Sequence, residues 1–147
     1  MKIWKLKRGF ERRIRAGHPW VYSNELLESP KGIAAGEAVE IQDYQGHFLA
    51  RGYGNPATLI SARILSHNAS DSDPFSLEFL AKKLQAAIGW RRDLGFAASQ
   101  RLVHGEADGL PGFILDYYLC QKGERYAHYF VYQAHTAGAE KISETLP

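Results

Sequence analysis

Apolar and polar positions alternate along the first part of the chain and then change period. Residues 2–6 alternate in strand fashion, and residues 10–16 form a short basic helix that ends at a glycine. Val39 and Ile41 alternate with Glu40 and Gln42, Asp43 to Gly46 reads as a type I turn, and Phe48 to Tyr53 returns from it. A third strand places Ile60, Ala62 and Ile64 on one face and Ser61 and Arg63 on the other. Together these elements predict a small barrel with a short helix. Ser66 to Asp73 is polar apart from one Ala and reads as a linker, with residues 69–73 at its centre.

Beyond the linker the period becomes helical. Ser72, Asp73 and Pro74 supply a cap and a first-turn proline, and Leu77, Leu80, Leu84 and Ile88 then recur at helical spacing up to Arg91 and Arg92, with Gly95 ending the helix. Leu102 and Val103, Phe113 to Tyr118 and Tyr126 to Gln133 read as strands, the last two joined around Lys122 and Gly123. Thr136 to Leu146 predicts a helix with Ala139, Ile142 and Leu146 on one stripe. A terminal helix of this length, with nothing after it to pack on, leads to the expectation that a further domain follows. The fold class is α+β in two units, 1–68 and 74–147.

Charge changes the picture more than composition does. Seven of the 18 Lys and Arg residues precede residue 16, opposed only by Glu11, while the remainder carries eleven basic against fifteen acidic side chains. A dense cationic end on a chain with no apolar span of 18 residues points to a polyanion, most simply a phosphate backbone. The string that follows, RIRAGHPWVYSNEL, adds Gly17 for close backbone approach, Pro19 to stiffen the turn and His18 as a ring for an unstacked base. Trp20, directly after Pro19 at a strand start, reads as core. One cysteine, Cys120, excludes a disulfide within the chain and fits a reduced, cytoplasmic setting.

The densest motif is RLVHGEADGLPG, residues 101–112, a rigid turn that displays Glu106 and Asp108. Read alone, His104, Glu106 and Asp108 are a candidate metal or acid/base cluster of a hydrolase, although the Asp108–Gly109 turn pair rotates Asp108 out of line with the other two. Taken together, RLVHGEADGLPG, GHPWVYSNEL, GYGNP and the basic start resemble the N-terminal half of the S-adenosylmethionine-dependent rRNA large subunit methyltransferase I family, which makes 5-methylcytosine in 23S rRNA.

The resemblance implies a PUA domain over residues 1–68 and a following αβ domain, called EEHEE in that family, from residue 74. Lys5, Lys7, Arg8, Arg12, Arg13, Arg15, Gly17, His18 and Pro19 then fall on the RNA-facing side. Glu106, Asp108, Gly109 and Pro111 fall at the cleft shared with the catalytic domain. It also implies an RNA partner, 23S rRNA, and S-adenosylmethionine as the cofactor of the full-length family.

The chain itself offers no strand, glycine-rich loop and helix for a nucleoside cofactor, no Pro-Cys nucleophile and no metal set. GYGNP is no substitute, because a strand rather than a helix follows it. The expectation is therefore a non-catalytic RNA-holding portion of a methyltransferase acting in rRNA processing, with no cofactor of its own and no membrane partner. A free-standing RNA-binding adaptor is the alternative.

Overall fold

The computed structural model describes residues 1–95 and 99–146. Its first sheet holds β1 (Lys2–Lys5), β2 (Trp20–Tyr22), β3 (Ala38–Gln42), β4 (Phe48–Gly54) and β5 (Ile60–Ser66) in the order β1-β3-β4-β5-β2. β1 runs parallel to β3 and the other pairs are antiparallel. The two edges are drawn together past the ends of β1 and β2: Leu6 bridges Leu26, and the amides of Lys7 and Leu27 donate to the carbonyls of Glu25 and Lys5. The short helix α1 (Glu11–Arg15) plugs the resulting half-barrel with Ile14, which is buried among Trp4, Leu6, Val21, Val39, Ile41, Ala62 and Ile64.

The second unit is α2 (Leu77–Asp93), the antiparallel strands β6 (Gln100–His104), β7 (Phe113–Lys122) and β8 (Arg125–Ala134), and α3 (Ala137–Thr145). Ser76 caps α2 by accepting the Phe79 amide, and Thr136 caps α3 by accepting the Ala139 amide at 3.1 Å. The buried face of α2 is rotated from the expected stripe. Phe79, Leu80 and Ala87 are buried, while Leu77 and Ile88 are 54% and 43% exposed. Leu77 and Ile88 lie on the flank of the stripe, and at its centre the sequence has a small Ala87 that is easily passed over. The α3 stripe is as expected, with Ala139 and Ile142 fully buried and Leu146 packed on the same core.

The two units share that second core. Tyr53 of β4 and Leu65 of β5 leave the first sheet by its outer face and pack with Phe79, Leu80, Val103, Leu110, Phe113 and Ile142. Ala62 and Ile64 take the inner face, as expected, but the other face of β5 is covered by the second unit instead of solvent, and Ser61 is buried there. Tyr53 lies flat over Gly138, where a Cβ would stand 2.3 Å from the ring. The polar segment after β5 is tied down as well: the Arg51 guanidinium donates to the carbonyls of Ala69 and Asp71. Among the described residues no helix is long and apolar enough to cross a membrane.

Candidate nucleic-acid interface

α1 ends at Gly17, whose φ of +89° turns the chain back toward β2 in a conformation that only glycine adopts without strain. The turn is exposed and no atom approaches the position a Cβ would take. Around it the cationic residues divide into two groups. The guanidinium of Arg13 pairs with the buried carboxylate of Glu25 and lies 2.9 Å from Nε2 of His18. Glu25 in turn accepts the Tyr22 amide at 2.9 Å. Arg15 donates to Asp43 at 2.9 Å. The Arg8 guanidinium sits over the Tyr44 ring, and Lys7 Nζ donates to the Asn24 carbonyl. Lys2, Lys5 and Arg12 are exposed and have no ionic partner among the described residues.

Asp43 holds the β3–β4 turn together. Its Oδ1 accepts the amides of Gln45 and His47, and its Oδ2 faces Arg15 and the His47 ring. Burial raises the pKa of this carboxyl, but the His47 and Gln45 bonds outweigh it and leave Asp43 below the usual carboxylate value. Two of the seven N-terminal cations therefore compensate internal acids, a pairing hidden in the sequence because the acids lie 12 and 28 residues away.

His18 is part-buried. Its ring is wedged between Arg13 and the backbone of Trp20, with the Trp20 ring edge-on at 6.0 Å. It braces the loop more than it offers an open face. Pro19 accepts the Ile64 amide through its carbonyl, fixing the loop to β5. Trp20 is not core as expected: it is half-buried, and its Nε1 donates to Glu106 Oε1 at 2.9 Å. The core tryptophan of the barrel is Trp4.

The RLVHGEADGLPG segment folds as β6, a 3-10 turn over Gly105–Asp108 and a left-handed Gly109. Its residues face different ways. Glu106 meets Trp20, and the Pro111 carbonyl accepts the Tyr53 hydroxyl at 2.7 Å, so both touch the first unit. Asp108 turns inward, takes a two-pronged bond from Arg91 at 2.8 and 2.7 Å, and accepts the His104 amide. Burial raises its pKa, yet these bonds hold it below the ordinary value. Gly109 abuts the ammonium of Lys83, whose pKa is lowered by burial. Glu106 and Asp108 thus engage different side chains, Trp20 and Arg91, and the His104 ring makes no hydrogen bond among the described residues. No three His, Cys, Asp or Glu side chains cluster as metal ligands among the described residues.

The sequence reading missed Tyr53 and Arg63. Burial pushes the Tyr53 phenol up to about 12, and its oxygen also lies 2.8 Å from Thr136 Oγ1. The only signal for Tyr53 was its place between Gly52 and Gly54.

Residues 5–67 match the family described as PUA-like domain. Over 138 residues the chain is 36% identical to the ribosomal RNA large subunit methyltransferase I of Escherichia coli and to that of Shigella boydii, covering 92% of this chain and 32% of the relative. It therefore spans about a third of the length of the curated relatives it matches. A solved structure from Streptococcus mutans, assigned as a SAM-dependent methyltransferase, superposes with a TM-score of 0.72 over 99% of this chain and 37% of its own, at 13% identity. Another, assigned as a methyltransferase and complexed with SAH, gives 0.72 over 99% and 36%. At that identity the likeness is one of fold.

Proposed function

We propose that this chain, whose residues 5–67 match the PUA-like domain family, holds ribosomal RNA on the face built by α1 and its glycine turn, for methylation by a SAM-dependent unit of the kind its relatives' names describe. The support is a division of roles among the N-terminal cations. Arg13 and Arg15 neutralise buried carboxylates and fix the loop, whereas Lys2, Lys5 and Arg12 are exposed and without ionic partners among the described residues. Fixed backbone and free charge together suit a phosphate chain, which needs positioning donors more than base-specific ones. Of the residues assigned to RNA contact, Lys5, Lys7, Arg8, Arg12 and Gly17 make the contact surface, and Arg13, Arg15, His18 and Pro19 hold it in shape.

The relatives' names bring S-adenosylmethionine with them, but the residues of this chain do not fit it. Among the described residues β1, parallel to β3, leads through Gly9 into α1, but α1 has five residues and plugs the half-barrel instead of crossing over to a parallel neighbour, so the unit that grips a nucleoside cofactor is not formed there. The chain's own part is capture and orientation in a cytoplasmic rRNA-modifying enzyme, with Glu106, Gly109 and Pro111 on the side toward the cleft and Asp108 bracing that turn from within.

Fluorescence anisotropy with a 23S rRNA fragment tests this. Log affinity is expected to fall with log salt at a slope of about −0.9 per phosphate contacted, and Lys5, Arg8 and Arg12 changed together to Glu should abolish binding. Binding that is flat in salt, or that survives the triple reversal in a folded variant, would sink the reading.

A further inference from the structure

Three cross-strand neighbours form a row on the outer face of the first sheet. Trp20 of β2 is in register with Arg63 of β5, and Arg63 with Tyr53 of β4. The two outer members reach across to the second unit, Trp20 to Glu106 and Tyr53 to Pro111 and Thr136. Arg63, between them, does not. It is half-buried and has no side-chain hydrogen bond or ion pair among the described residues.

That guanidinium lines an open cleft of about 510 Å³ with His104, Glu106, Gly112, His135 and Thr136. The rings of His104 and His135 are exposed and make no hydrogen bond among the described residues, though Asp108 and Asp116 are close enough to His104 for their charges to interact. The one acid in the cleft, Glu106, already accepts the Trp20 indole. A partly desolvated guanidinium carries five N–H donors in a planar fork, and leaving them unmade costs more than at an open surface. The fork matches a phosphate, and two imidazoles beside it add donors or a stacking face.

The cleft also neighbours the loop after α1, because Glu106, which lines it, accepts the indole of Trp20, the ring His18 packs against. A chain ligand lying on α1 can therefore extend into it. We infer that the cleft binds a backbone phosphate of single-stranded RNA, with Arg63 as the anchor and His104 and His135 as flanking contacts. This rests on the RNA reading of the α1 face.

The test is an NMR titration of the 147-residue chain with a short oligouridine, following the imidazole resonances of His104 and His135, the Arg63 Nε–H and the amides of residues 8–17. The His104, His135 and Arg63 signals are expected to shift saturably along with the α1 amides. Arg63→Gln should remove the imidazole shifts and reduce the salt slope of binding by about 1, leaving the α1 shifts in place. Shifts on α1 with the cleft signals unmoved would overturn the inference and leave the α1 reading standing. Inorganic phosphate moving the cleft signals at lower concentration than oligouridine would assign the site to a free anion and overturn it too. No shift anywhere would remove both readings. The wild-type titration decides the matter even if Arg63→Gln fails to fold.

Discussion

The indole Nε1 of Trp20 donates to the Glu106 carboxylate at 2.9 Å, joining two residues 86 positions apart and stitching the first sheet to the turn after β6. The bond lies beside the cleft and bears on how firmly the two units hold one another. A double-mutant cycle of Trp20→Phe and Glu106→Ala should return a coupling of about 0.5–1.5 kcal/mol in urea unfolding, the usual net worth of such a bond or slightly more for a charged acceptor. Strictly additive losses would show that the bond contributes nothing.

Gly138 is required by the ring above it. An added Cβ would stand 2.3 Å from the Tyr53 ring, and that ring cannot retreat because its hydroxyl is fixed by Pro111 and Thr136. Gly138→Ala should cost about 1–3 kcal/mol through overpacking, even though alanine has the better helix propensity. Tyr53→Phe, which frees the ring, should cost about 1 kcal/mol alone and reduce the penalty at 138. Thermal unfolding of the two single variants and the double variant checks both statements.

The N-terminal arginines should separate into two classes. Arg13→Ala strands the buried Glu25 carboxylate and should cost about 1–3 kcal/mol of stability. Arg12→Ala should leave the unfolding midpoint unchanged and lower RNA affinity. Circular dichroism melts beside anisotropy titrations read the two effects separately, and equal melting points for both variants would contradict the pairing.

Acid should loosen the second unit through Asp108. Its folded pKa is depressed by Arg91 and the His104 amide, so its contribution is complete above the ordinary carboxylate value of about 4 and is lost as pH falls through the lower folded value. Asp108→Asn should be less stable than wild type at neutral pH, with the gap closing as pH falls below the ordinary carboxylate value. A gap that is constant with pH would mean that the Arg91 pair is not the source.

Much of this molecule could be read from local pattern. The strands around Asp43 and Gly46, the Thr136 cap, the stop at Gly95 and the turn at Gly123 all obey short-range rules, because a few neighbouring residues settle backbone geometry there, whereas α2 starts at a Ser76 cap, past the expected Ser72–Asp73–Pro74 signal. The α3 stripe was equally legible, since one strong apolar period leaves only one face to bury. The density of charge before residue 16 was plain as well.

What only the tertiary structure decided is which of those charges are free and which face of the first sheet is covered. Arg13 and Arg15 meet acids that fold back from other elements, and Trp20 looks like a strand-start core residue until Glu106 arrives from residue 106. Arg63 and Tyr53 alternate on β5 and β4 as solvent-facing positions would, and nothing in their own neighbourhood says that a second unit packs there. Long-range pairing depends on the shape of the whole chain, and a sequence window carries the propensity of a segment but not the identity of what it faces.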